Sequence, residues 1–376
     1  MNFDWSTEQL SLYQDALTAA REILPDLTTP EQWRARWQQL GSAGFLGLCV
    51  PRQLGGGGHG ALTTALVLEA LGRGAADMGV VFSAAAHLFA CAMPIAEHGT
   101  QALKARVFPG LCSGELVGAN AITEPGAGSD VTALQCRAIP EGDGYRLTGS
   151  KSFVTNGPVA DVVTVYATRN PAHGFLGITA FGVERGSPGM SVGRPIEKGG
   201  LTTAPSSWIE LSNCRVDAAA RLGAEGQGAA VFQRSMIWER SCLFAAYVGM
   251  LERQLEQTIA FAQKRKQFAR AIGRNQAVSH RIVEMKLRLE RSRLLLYRAC
   301  WRIDEGMHAD LDVALSKLSI SHAAVDSSAD AVHLHGGAGI DSQLAIERML
   351  RDALPSTIFS GTSEIQRELI AQELGL

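Results

Sequence analysis

Few residues in this chain combine the type and the setting that chemistry requires, and one carboxylate stands out. Phe232, Met236, Glu239, Leu243, Ala246 and Met250 follow one another in helical steps, so Glu239 falls on an otherwise apolar stripe. Desolvation raises the pKa of a carboxyl in such a setting, which suits a base for a weakly acidic C–H bond. A buried ion pair with an arginine of another helix accounts for the same pattern, and the residues alone leave both readings open. A second cluster, Thr123-Glu124-Pro125-Gly126-Ala127-Gly128-Ser129-Asp130, breaks regular structure at Pro125 and the two glycines. It frees backbone N–H groups beside the hydroxyls of Thr123 and Ser129, as a surface for the heteroatoms of a planar ring or simply as a polar turn. Arg265, flanked by Lys264 and Lys266, and the pair Gly336-Gly337 offer a cation and bare backbone to a phosphate. Equally they read as a solvated helix face and a helix stop.

These residues are distributed over three textures. Residues 1–118 read as mostly helical, with Ala61 to Leu71 and Val80 to Ala92 separated by Gly and Pro. Within this part Gly55-Gly56-Gly57-Gly58 lacks a following Lys-Ser/Thr and a clear preceding strand, so a plain loop is expected there and not a phosphate cradle. Residues 119–228 change to short β-type stretches at Tyr145 to Thr148, Asp161 to Ala167, Gly177 to Val183 and Trp208 to Leu211, which predict a small antiparallel sheet or barrel. Residues 229–376 return to a helical period. Val278, Ile282, Met285, Leu289, Ser292, Leu296, Ala299 and Ile303 form one stripe of a long bundle helix. A further helix carries Leu315, Leu318, His322, Val325 and Ala329 and stops at Gly336-Gly337; the last begins near Gly361-Thr362.

Composition narrows the function classes. With 376 residues, of which 46% are hydrophobic, the chain can bury sizeable cores. Its 35 basic and 37 acidic residues leave no footprint for nucleic acid or an anionic membrane. Seven scattered cysteines without a CxxC pair favour reduced thiols in a cytoplasmic protein over disulfides or a metal. The opening Met1-Asn2-Phe3-Asp4-Trp5 is acidic where a signal peptide would be basic, and no membrane span is expected.

Taken as strings, these segments resemble the acyl-CoA dehydrogenase family in order across essentially the whole chain. Thr123 to Asp130 resembles its flavin-contacting signature. Gly149-Ser150-Lys151-Ser152-Phe153-Val154-Thr155-Asn156-Gly157 is similar to the strand whose aromatic residue lies against the flavin and whose threonine bonds to it, with Phe153 where Trp is commoner. Arg265-Lys266-Gln267-Phe268 and Gln276 match the stretch that reaches the FAD of a neighbouring subunit. Gly336-Gly337-Ala338-Gly339-Ile340, with Arg348 and Asp352, resembles the second signature, and Gly361-Thr362-Ser363-Glu364-Ile365-Gln366 the closing helix. The resemblance implies a helical N-terminal domain, a β-barrel-like middle domain and a C-terminal four-helix bundle, assembled as a homotetramer or homodimer. It implies FAD bound through Thr123, Ser129, Phe153, Thr155, Arg265, Phe268, Gln276, His333, Gly336, Gly337, Thr362 and Glu364, and an acyl group bordered by Ser129, Arg240 and Ser360.

Two positions depart from the family pattern. His333 stands where Gln usually opens the second signature; it keeps one donor but changes the reach and admits a charge near neutral pH. Ser360 stands where most members carry the glutamate that removes the α-proton of the thioester. A serine hydroxyl is no general base at neutral pH without a partner. A minority of the family, including members acting on isovaleryl and long-chain substrates, carry that glutamate on the helix just before an arginine, and Glu239-Arg240 matches the position. The activity implied is α-proton abstraction with β-hydride transfer to flavin, on acyl-CoA or on an acyl group held by a carrier protein. The Ser360 backbone N–H would polarise the carbonyl, and an electron-transferring flavoprotein would reoxidise the flavin. A flavin monooxygenase and a non-catalytic flavoprotein are the alternatives on the same fold.

Overall fold

A computed structural model describes residues 4–376, so Met1, Asn2 and Phe3 of the opening segment lie outside the described residues. Helices α1 (Thr7–Ile23), α2 (Pro30–Ser42), α3 (Ala61–Gly74), α4 (Met78–Ala86), α5 (Met93–His98) and α6 (Gln101–Ser113) come first. Ser6 and Gln9 start α1 with a reciprocal capping box, and Asp77 caps α4 through Gly79 N and Val80 N. A π-helical turn, His87–Ala92, joins α4 to α5. The joined stretch Met78–His98 has the length and hydropathy of a membrane span. Its most apolar window is 89% buried inside the protein, as befits a core helix.

Eight strands follow: β1 (Gly118–Ala121), β2 (Arg137–Glu141), β3 (Gly144–Thr155), β4 (Val162–Thr168), β5 (Ile178–Glu184), β6 (Met190–Val192), β7 (Ser206–Asp217) and β8 (Arg221–Leu222). The expected barrel is not formed. The strands run β6-β7-β3-β2-β4-β5-β8 in one open sheet, with β1 parallel to β4. The outermost strands, β6 and β8, are three and two residues long and do not pair with each other. Between β2 and β4 only Arg137 and Thr168 are in register. So little ladder cannot carry the continuous stagger that closure needs, and helices cover the inner face instead. The sheet is also mixed, not purely antiparallel, because β1 enters beside β4 in the same direction.

The C-terminal part consists of α7 (Gly228–Trp238), α8 (Phe244–Lys264), the hairpin β9 (Lys266–Gln267) with β10 (Arg270–Ala271), α9 (Gln276–Asp304), α10 (Asp310–His335), α11 (Ile346–Ala353) and α12 (Ser363–Glu373). On α9 the sequence stripe is the buried one: Met285, Leu289, Ser292, Leu296 and Ala299 face inward. On α10 the end point is as expected but the face is not. The inward positions are Val313, Lys317, Ile320, Ala324, Ser327 and Ala331, while Leu315, Leu318 and Val325 are half-buried and His322 is exposed. Small Ala and Ser side chains let α8, α9 and α12 approach this helix, and close approach outweighs the pull of a few leucines. The same logic joins the two helical parts, which share one hydrophobic core. A Cβ on Gly249 of α8 would stand 1.9 Å from the Glu69 carbonyl of α3, and one on Gly72 of α3 would stand 2.0 Å from that of Ala246. All seven cysteines are free and buried.

Candidate active site

The cleft of interest lies where α4, β1, β3, α7 and the start of α12 meet. Its volume is about 350 Å³, and its wall includes Thr123, Ser129, Phe153, Thr155, Glu239, Ser360 and Thr362. Residues read as flavin contacts and as the base, scattered over 240 positions, therefore converge on one opening.

Two β-irregularities and one buried ion pair build the flavin side. Along β3 the register with β7 shifts between Leu147 and Gly149 and again between Lys151 and Val154. Within the second bulge Phe153 takes a left-handed φ of 54° and turns its ring outward, 65% exposed, against the cleft. Lys151 beside it points the opposite way and is fully buried; its Nζ donates to Glu124 Oε1 at 2.6 Å and to the Ile122 carbonyl at 3.2 Å. Glu124 also accepts from Gln135 N at 2.7 Å and Cys136 N at 3.0 Å. The loop bearing Thr123 and Ser129 is thus fastened to the bulge that presents Phe153. Asn156 adds a strap from β3 to Ser83 and Gly118, donating to both carbonyls at 3.0 Å.

These residues fit a flavin. The hydroxyls of Thr123, Ser129 and Thr155 make no hydrogen bond among the described residues, Gly126 and Gly128 have open space where a Cβ would stand, and Phe153 offers a free aromatic face. A planar heteroaromatic group would find donors on its edge and a ring on its face.

Opposite this wall, Glu239 begins a π-helical turn, Glu239–Leu243, that joins α7 to α8. The extra residue in the turn shifts the stripe anticipated in the sequence. Phe232, Met236 and Glu239 line the cleft, whereas Leu243, Ala246 and Met250 pass into the shared helical core. Desolvation holds the Glu239 carboxyl above the ordinary glutamate value; a hydrogen bond from the Ser360 hydroxyl and the charge of Arg240 pull the other way. No ion pair involves Glu239 among the described residues, so of the two readings open in the sequence the buried ion pair is the one the geometry lacks. Arg240 donates through Nε to the Ser360 carbonyl at 2.8 Å. Thr362 lines the cleft while its hydroxyl caps α12 at Ile365 N.

Eight of the anticipated contacts do not line this cleft: Arg240, expected to border the acyl group, stands behind it on the Ser360 carbonyl, and seven expected FAD contacts lie further away. Arg265, Phe268, Gln276, His333, Gly336, Gly337 and Glu364 are exposed elsewhere on the helical part. Phe268 is 92% exposed at the tip of the β9–β10 hairpin, where both Phe268 and Ala269 have positive φ. Glu364 pairs with its helix neighbour Arg367.

Three family profiles match the chain: the acyl-CoA dehydrogenase N-terminal domain over residues 11–115, the middle domain over 119–214 and the C-terminal domain over 226–375. The chain belongs to the acyl-CoA dehydrogenase family. An acyl-CoA dehydrogenase of this kind is an FAD-dependent oxidoreductase acting on acyl thioesters, and that chemistry is this chain's. It is 56% identical to an L-prolyl-[peptidyl-carrier protein] dehydrogenase of Pseudomonas fluorescens over 91% of this chain and 90% of that one. It is 46% identical to a protein of the same name from Serratia sp., over 100% and 99% of the two chains. A solved structure of PigA with FAD and proline superposes with a TM-score of 0.96 at 45% identity, each chain fully covered.

Sequence reasoning missed four residues of this acyl-CoA dehydrogenase site. Glu124 and Lys151 stood inside quoted motifs without a role. Lys317, whose Nζ donates to the carbonyl of the cleft residue Gly361 at 2.8 Å, could have been found by stepping Val313, Lys317, Ile320, Ala324 along α10. Asn120, whose amide oxygen is buried without a partner at the cleft wall, carries no sequence signal beyond being polar on a strand between two alanines.

Proposed function

We propose that this acyl-CoA dehydrogenase oxidises a prolyl group held as a thioester on a carrier protein. The observation that carries the reading is the pairing of a small acyl cleft, one partner-free amide and a desolvated base with high identity to two prolyl-carrier dehydrogenases. The cleft wall includes the apolar side chains Ala86, Ala90, Phe232 and Met236, and among its polar residues Asn120 has a buried amide oxygen without a partner. A saturated hydrocarbon acyl chain would leave that amide unpaired, whereas a ring nitrogen can meet it.

In this reading Glu239 takes the α-proton. Bound FAD supplies the acceptor for the β-hydride. The Ser360 backbone N–H faces the thioester carbonyl, and Arg240 holds that residue from its carbonyl side. Thr123, Ser129, Phe153 and Thr155 hold the flavin ring within the same chain. Arg265, Phe268, Gln276, His333, Gly336 and Gly337 lie outside the cleft, which supports the reading that they serve the FAD of a neighbouring subunit in a homo-oligomer. Division into domains near 118 and 228 is supported by the start of β1 at Gly118 and of α7 at Gly228. An electron-transferring flavoprotein is the reoxidant the family suggests.

Anaerobic mixing of the holoenzyme with prolyl-carrier thioester, prolyl-CoA and butyryl-CoA tests this reading. Bleaching of the flavin is expected with the carrier-bound prolyl group first. Equal or faster bleaching by butyryl-CoA would overturn the substrate assignment, and rapid oxygen consumption by reduced enzyme without thioester turnover would favour a monooxygenase.

A further inference from the structure

Lys317 is a fully buried lysine with no carboxylate in ion-pair reach among the described residues. Its Nζ donates to the Gly361 carbonyl at 2.8 Å and stands 5.5 Å over the centroid of the Phe244 ring. The carbonyl it holds belongs to an unusual turn. Ser360 and Gly361 are consecutive left-handed residues, with φ of 56° and 89°. A non-glycine residue persists there only if its surroundings hold it.

Three side chains do so from three helical segments. Arg240, in the π-helical turn, binds the Ser360 carbonyl at 2.8 Å; Gln366, on α12, binds the Gly361 carbonyl at 3.2 Å; and Lys317 reaches the latter from α10. One turn further along α10, Ser321 donates to the Ser356 carbonyl at 2.9 Å, fixing the segment that leads into the turn. Phe359 is packed among Phe82, Phe244 and Tyr247, at ring separations of 4.8, 5.4 and 6.2 Å. What this packing positions is Ser360, whose hydroxyl meets Glu239.

We propose that Lys317 is a positioning residue for the dehydrogenation: its ammonium, clamped to the Gly361 carbonyl, holds the Ser360–Gly361 turn so that Ser360 stays against Glu239 and presents its backbone N–H to the cleft. The inference rests on the reading of Glu239 as base and Ser360 N–H as carbonyl donor. An ammonium does this better than a neutral amine, since a charge-assisted hydrogen bond is the stronger. Burial, with the neighbouring charge of Arg240, pulls the Lys317 ammonium down to about 7, against the opposing charge of Glu364 on α12. The clamp is therefore charged below that pH and loses its charge as pH rises through it.

The test compares the parent holoenzyme with Lys317→Met and Lys317→Arg. Hydrogen–deuterium exchange of the segment 357–366 should rise in Lys317→Met and return toward the parent in Lys317→Arg, while FAD content is unchanged in both. Flavin reduction under single-turnover conditions should slow at least ~10-fold in Lys317→Met. In the parent the reduction rate should fall on the alkaline side of about pH 7, and this limb should be absent from Lys317→Met. Parent-like exchange and parent-like reduction in Lys317→Met would overturn the proposal, as would a slowed variant that keeps the alkaline limb. If Lys317→Met does not fold, a parent profile without any fall above neutral pH overturns it. Should no thioester reduce the parent flavin, the substrate reading fails, whereas the exchange data still report whether Lys317 holds the turn.

Discussion

The hydroxyl of Ser360 donates to Glu239 Oε1 across 121 positions of sequence. This one contact joins the residue that replaces the usual family base to the residue offered in its place. It also gives the serine side chain a role beyond its backbone N–H, because the donated hydrogen bond favours the ionised carboxyl.

Glu239→Gln should keep the fold and the FAD while flavin reduction slows by at least ~10², the loss expected when a general base is removed. Rapid-mixing absorbance at the flavin band measures it. Near-parent reduction would refute Glu239 as base.

The pH dependence of stability has a definite sign at the same residue. Because burial raises the Glu239 pKa in the folded state, the folded chain holds a proton that the unfolded chain releases. Stability from this group therefore falls as pH rises above the ordinary glutamate range, and levels off once the folded-state carboxyl is also ionised. Thermal melting of Glu239→Gln should accordingly exceed that of the parent by more at neutral than at acidic pH. A gain of the same size at both would contradict the raised pKa.

Ser360→Ala removes the donor that lowers the Glu239 pKa. The rising limb of the reduction profile should move to higher pH, while the fall above about pH 7 stays in place. Ser360→Gly should show the same displacement, and it suits the left-handed φ at this position better than alanine does. A profile that stays in place would mean the hydroxyl does not tune the base.

Lys151→Met leaves Glu124 buried without its cation. Breaking a buried pair from one side costs about 3–5 kcal/mol, so chemical denaturation should show a loss of that order together with weakened FAD retention. Arg265→Ala is the contrasting case. It should leave stability alone and weaken FAD binding by about 1.5–3 kcal/mol, the worth of a charge-assisted phosphate contact, and unchanged FAD affinity would dismiss its cofactor role.

Asn120→Leu tests the acyl reading. With a cyclopentanecarbonyl thioester as the nitrogen-free counterpart of prolyl, the parent should prefer prolyl and the variant should lose roughly tenfold or more of that preference. An unaltered ratio would remove Asn120 from substrate selection.

Much of this site was legible in the chain before it was folded, for reasons that are local. The Thr123 to Asp130 turn, the Gly149 to Gly157 strand and the Gly361-Thr362 helix start are each specified by neighbours in sequence, and the α9 stripe follows from period alone. Helix-sheet-helix order and the candidacy of Glu239 came from the same sources. What only the tertiary structure decided are relations between distant segments. Whether the sheet closes depends on the lengths and pairing of β6 and β8, which no strand pattern encodes. Which face of α10 turns inward depends on how closely α8, α9 and α12 can approach it, and small residues prevail there over leucines. The outward turn of Phe153 needs β7 beside β3 to create the bulge. The charge of Lys151 found its partner in Glu124, and Lys317 its carbonyl at Gly361, only once the chain had brought them together, because hydrogen bonding acts over about 3 Å while sequence records only order along the chain.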